Sequence, residues 1–164
     1  MRRSITAFLS LCLLASAPTA ALAKRATPAT ESHADMLARR SEQARAVVEK
    51  HFKALAAGNA KAVRTQWTRD ARVTSVDGDG RSKQETLSKA MTRWLTHTDG
   101  LQWTIQNVTP LRAGQLEVTV QVIWNGTTFD DTLRLVTQGS SMRIRHKSSR
   151  PHGLATSEIR SSGY

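Results

Sequence analysis

Five polar side chains are set apart by their neighbours. His51, Ser75, Asp77, Asp131 and His146 each fall on a stripe that is otherwise apolar. An imidazole titrates near neutrality and moves protons either way, and a carboxylate acts as a base when ionised or as a donor when protonated. A serine hydroxyl hydrogen-bonds without titrating in that range. A few such groups on a mostly apolar wall are the make-up of a small-molecule pocket. Each also has a plain structural role open to it. The histidines can be hydrogen-bonded wall residues, and Asp131, beside Asp130, can cap a strand start. Asp77-Gly78-Asp79-Gly80 resembles a calcium loop but lacks the bidentate acid at the spacing such loops need. His33 and His152 lie in flanking segments, too scattered for a metal centre. No metal and no cofactor is expected.

Strand periodicity supplies the wall. Residues two apart share a face, so the apolar phase collects Val73, Ser75 and Asp77, then Leu101, Trp103 and Ile105. Val118, Val120, Val122 and Trp124 come next, then Asp131, Leu133 and Leu135, and finally Met142, Ile144 and His146. The pocket expected from this phase comprises Ser75, Asp77, Trp103, Val120 and Trp124 with Asp131, Ile144 and His146, and His51 from a helix. The opposite phase of the last two strands carries Arg134, Arg143, Arg145 and Lys147. That basic row should face outward, towards solvent, an anionic surface or an acidic protein.

The elements follow from local signals. Ser32 with Asp35 forms a capping pattern, and Ala44, Val48, His51, Phe52 and Leu55 recur at helical spacing up to Gly58-Asn59. "AKAVRTQW" reads as a short second helix, and Lys83 to Thr96 as a third carrying Leu87, Met91, Trp94 and Leu95. The remainder is strand, with Asn125-Gly126 as a two-residue hairpin turn. Helices followed by a meander predict an α+β domain with its helices on one side of the sheet.

The segment from Met1 to Ala23 has the layout of a secretory leader: Arg2 and Arg3, an apolar run from Ile5 to Ala17, and Ala21-Leu22-Ala23. Residues 24–40 read as a linker and the start of the first helix, 41–151 as the domain and 152–164 as a tail. Cleavage removes Cys12, the one cysteine, which excludes disulfides, thiolate nucleophiles and cysteine-type zinc sites. The formal charge is +11, and losing Arg2 and Arg3 leaves 22 of the 24 basic residues against 13 acidic ones, about +9. In a periplasmic or secreted protein that charge points to anionic surfaces and acidic partners; nucleic acid is not expected.

Two segments together resemble the NTF2-like superfamily and its SnoaL-like group. "ARAVVEKHFKALAAGNAKAVRTQWTRDARVTSVDGDG" is similar to its first helices and first strand. "DDTLRLVTQGSSMRIRHKSSRP" is similar to its last hairpin. The resemblance implies a conical α+β fold, in which a strongly bent antiparallel sheet wraps the N-terminal helices, and a homodimer. It admits small-molecule binding, isomerase or lyase chemistry, and scaffolding of an acidic partner. In the ketosteroid isomerase branch a helix-one tyrosine and a late-strand aspartate hold an enolate oxygen while a first-strand carboxylate moves the proton. Asp131 matches the late-strand aspartate, His51 stands at the tyrosine and Ser75 at the base, with Asp77 two residues further on. His51, Asp77, Asp131 and His146 are therefore the catalytic candidates. If the leader is cleaved as its layout implies, Edman sequencing of the exported protein should begin at Lys24; intact Met1 in a membrane fraction would refute cleavage.

Overall fold

The computed structural model describes residues 32–154 and 160–161. The leader, the linker up to residue 31 and most of the tail lie outside the described residues.

Helix α1, His33–Ala56, starts where expected. The Ser32 hydroxyl accepts from the Asp35 amide, and Asp35 places a negative charge in the first turn. Ala44, Val48, His51, Phe52 and Leu55 form its buried stripe. Gly58 takes a left-handed φ of 62° just past its end, so that the Asn59 amide can reach back to the Ala54 carbonyl. Helix α2, Ala60–Thr65, is capped by the Asn59 side chain and buries Val63. Trp67, expected on that helix, instead opens strand β1, Trp67–Val76.

The third helix is shorter than the sequence suggested. Residues 81–86 form strand β2, Arg81–Thr86, paired antiparallel with β1, and helix α3 spans only Leu87–Trp94. The turn at Asp77–Gly80 explains the difference. Asp77 Oδ1 accepts from the amides of Asp79 and Arg81, and Gly80 takes a φ of 77°. This folds the chain back into a hairpin, and the ladder claims the amides that a longer helix would have used. Helix α3 then buries Leu87, Ala90, Met91 and Trp94, spaced as one helical face.

Strands β3 (Gln102–Pro110), β4 (Leu116–Trp124), β5 (Thr127–Gln138) and β6 (Ser141–Pro151) complete the wall, with a two-residue β7 at Arg160–Ser161. The sheet order is β3-β4-β5-β6-β1-β2-β7. Asn125 and Gly126 both take positive φ and make the tight turn between β4 and β5. The sheet is mixed rather than purely antiparallel: β1 runs parallel to β6, and β7 to β2. A parallel neighbour follows because β1 returns to β6 only after the whole meander, with no hairpin joining them. Helices α1 and α3 cover the concave side, where Val48, Phe52, Val73, Val118, Leu133 and Ile144 are core residues.

One irregularity governs the inner face. Leu135 pairs with Ile144 and Arg134 with His146, so Arg145 has no partner on β5 and forms a β-bulge. Across the parallel ladder the step is larger: Trp67 pairs with Ile144 and Arg72 with His146. One added residue reverses the side-chain phase. Ile144 and Lys147 both point inward, and His146 points outward with Arg134. Two sequence expectations are therefore overturned beyond Ile144: Lys147 leaves the basic face, and His146 leaves the pocket wall. The remaining row is not a free basic surface. Arg134 pairs with Glu117 at 3.0 Å and Arg145 with Asp70 at 3.4 Å. Arg143 donates to the Thr65 carbonyl at the end of α2.

Arg145 thus matters by its presence in the count more than by its charge. Arg145→Gln should change stability by less than about 1 kcal/mol in urea titration, as exposed ion pairs do. Deleting Arg145 should cost several-fold more, because it would turn Lys147 out and leave Asp131 buried alone; equal stability of the two variants would refute the bulge.

Candidate functional site

The bulge brings Lys147 and Asp131 together inside the cone. On the inner face Leu133 lies opposite Lys147 and Asp131 opposite Ser149, so the two charged residues are diagonal neighbours across β5 and β6. A long side chain spans such a diagonal. Lys147 Nζ lies 2.6 Å from Asp131 Oδ2, with the two side chains 6% and 1% exposed. Neither carboxylate oxygen has a well-directed hydrogen bond among the described residues. The contact is thus chiefly ionic, and Oδ1 keeps its accepting capacity. The ammonium lies 4.7 Å from the Trp94 ring centre and 5.6 Å from that of Phe52. Aromatic faces favour a cation held this way.

A cavity of about 240 Å³ opens beside the pair. Phe52, Trp94, Leu101, Val122, Trp124 and Phe129 give it a mainly apolar wall, and Ser75, Ser149, Lys147 and Asp131 add polar groups. At its rim the Trp124 indole donates to the His97 carbonyl, tying the segment after α3 to the end of β4. Arg93 also borders the cavity, with its guanidinium held by Glu85 at 2.5 Å.

The structure divides the predicted site. Ser75, Asp77, Trp124 and Asp131 line the cavity. Asp77 does so from the β1–β2 turn, where one carboxylate oxygen is already occupied by two backbone amides. Trp103, Val120, Ile144, His51 and His146 lie elsewhere. Trp103 stacks on Phe52 at 5.6 Å and donates to Glu49, while Val120 and Ile144 are core. His51 is fully buried, edge-on to Phe52, Trp67 and Trp94. Its Nδ1 accepts from the Trp67 indole at 3.2 Å, which leaves the proton of the neutral ring on Nε2. Burial, reinforced by the Lys147 charge, depresses its pKa well below the ordinary histidine value. His51 is a neutral packing group behind the cavity wall. His146 meets Thr74 Oγ1 at 2.9 Å on the outer face; partial burial, then Arg134, lowers its pKa.

Sequence reasoning missed Lys147, Arg93, Trp94 and Ser149 as cavity residues. Trp94 was visible as a helical apolar position, but the order of helix and strand packing that turns it to the cavity was not. Lys147 had one available signal: Asp131 on a buried phase calls for a cation.

No family model and no curated protein matches this chain. Solved structures do resemble it. An NTF2-like protein of unknown function from Silicibacter pomeroyi is 20% identical with a TM-score of 0.63, covering 71% of this chain and 98% of its own. One from Shewanella baltica is 11% identical with a TM-score of 0.62, covering 71% and 97%. A candidate ketosteroid isomerase from Shewanella frigidimarina is 21% identical with a TM-score of 0.51, covering 63% and 90%. The chain is an α+β protein whose helices pack in the concavity of a bent sheet. It has the NTF2-like fold.

The buried pair should behave as a unit. Lys147→Met or Asp131→Leu alone should each lower unfolding free energy by about 3–5 kcal/mol, because an uncompensated charge remains. The double variant should return to within about 1 kcal/mol of wild type, since matched apolar groups replace both charges. Additive losses in urea titration would show that the two residues do not interact.

Proposed function

We propose that this protein is an exported NTF2-like domain that encloses a small, largely apolar molecule in its cone. The observation that carries the reading is the cavity itself, bounded by aromatic rings and backed by a few buried polar groups, the usual composition of a small-molecule site. Its volume, about 240 Å³, falls just below the usual range of such sites and suits a ligand of about one ring.

An isomerase or lyase reading has less support. Proton transfer of the ketosteroid isomerase kind needs a donor pair on the substrate oxygen and a carboxylate base close to the reacting carbon. Here Asp131 faces an ammonium ion, His51 lies behind the wall, and a serine stands at the base position. Asp77 is engaged in its turn. A docking role for the basic outer face also has less support, because Arg134, Arg143 and Arg145 each have a partner within the chain.

Thermal-shift measurements with a panel of one- and two-ring aromatic fragments test the binding reading. A ligand present at 100 times its Kd stabilises the folded state by about 2.7 kcal/mol, which raises Tm measurably. The same fragments should lose their effect in Leu101→Trp, which narrows the cavity at a half-buried wall position. Absence of any shift with wild type, or equal shifts in the narrowed variant, would refute the proposal.

A further inference from the structure

The Lys147–Asp131 pair carries information about what the cavity holds, and the inference drawn from it rests on the binding reading above. We infer that the ligand is an uncharged molecule with an apolar body and a carbonyl or hydroxyl oxygen, and that this oxygen accepts a hydrogen bond from Lys147 Nζ. Charge balance and donor capacity both lead there.

Lys147 and Asp131 neutralise each other at 2.6 Å, and Arg93 is neutralised by Glu85. Asp77 adds a carboxylate at the turn end of the same cavity. An anionic ligand would therefore join a site with no spare positive charge on its inner wall, beside two carboxylates. A cationic ligand would lie against the Lys147 ammonium, and the Asp77 carboxylate already accepts from two backbone amides in its turn. Transfer of either ion from water into an apolar enclosure is unfavourable without a dedicated counter-charge.

An ammonium group carries three N–H donors. Asp131 Oδ2 lies against the group at 2.6 Å without a well-directed hydrogen bond, and the rings of Trp94 and Phe52 flank it without accepting a conventional one. Lys147 borders the cavity, so an oxygen atom placed there finds a charge-assisted donor, the stronger kind of hydrogen bond.

The experiment uses four probes of similar size: ethylbenzene, acetophenone, benzoate and benzylamine. Affinities are measured by calorimetry for the full mature chain and for the Lys147→Met/Asp131→Leu double variant, which removes both charges and keeps the volume. In wild type, acetophenone should bind more tightly than benzoate and benzylamine. The affinity ratio of acetophenone to ethylbenzene should fall at least tenfold in the double variant, while ethylbenzene binding is retained. An unchanged ratio would overturn the inference and leave the cavity as a purely apolar site. Tighter binding of benzoate than acetophenone would overturn it in favour of an anion site. If none of the four binds wild type, the enclosure reading falls, and this inference with it. Should the double variant fail to fold, Lys147→Gln with Asp131→Asn, which keeps a neutral hydrogen-bonding pair, should still lower the ratio; no decrease there would overturn the inference.

Discussion

A lysine and an aspartate buried against each other constrain most of this molecule. A charge moved from water into a protein interior loses several kcal/mol of hydration, and only a close counter-charge with supporting groups offsets that loss. Lys147 and Asp131 supply that counter-charge to each other at 2.6 Å, with two aromatic rings beside the ammonium. For that contact to form, β5 and β6 must pair so that the residues lie on one diagonal, and Arg145 must be set aside as a bulge. Phe52 from α1 and Trp94 from α3 must also lie beside the ammonium. Two helices and two strands are thereby placed by one interaction. The rest of the core, from Val48 to Leu133, is conventional apolar packing that would tolerate more variation.

The same pair separates enclosure from proton transfer. Within this fold, an aspartate on a late strand can serve as a neutral donor when its surroundings are apolar. Adding a lysine two residues from its cross-strand neighbour converts that carboxyl into half of an ion pair. Meanwhile the imidazole on α1 is drawn away by the Trp67 indole into the aromatic core. The cone thus presents an apolar surface with one internally balanced polar corner. On the reading proposed above, such a corner supplies selectivity for an oxygen atom.

The aromatic residues show how packing and site share side chains. Trp94 and Phe52 are core residues, cover for the ammonium and part of the cavity wall at once. Trp103 and Trp124 could have filled the cone. Instead Trp103 stacks on Phe52, and the Trp124 indole reaches the His97 carbonyl at the rim. Each indole finds an acceptor, which fixes its orientation and keeps the cavity open.

Much of this was legible in the residues alone. Capping by Ser32, the stop at Gly58, the Asn125-Gly126 turn and the alternation of Leu116 to Val122 are local signals, decided within a few residues by backbone preference and side-chain period. They led to the α+β class and to Ser75, Trp124 and Asp131 as inward groups. The strand at 81–86 was not legible, because a polar run acquires strand character only when β1 offers it a ladder. Lys147 and His146 were exchanged for a similar reason. After Ile144 the chain is polar on both phases, so alternation no longer distinguishes inside from outside, and a bulge of one residue leaves no trace in composition. Sequence by itself determined most of the elements, the strand at 81–86 excepted, and the face of every strand with a continuous apolar phase. Which charge entered the cone was decided only by tertiary structure, since an extra unpaired residue is visible solely against the strand it fails to match.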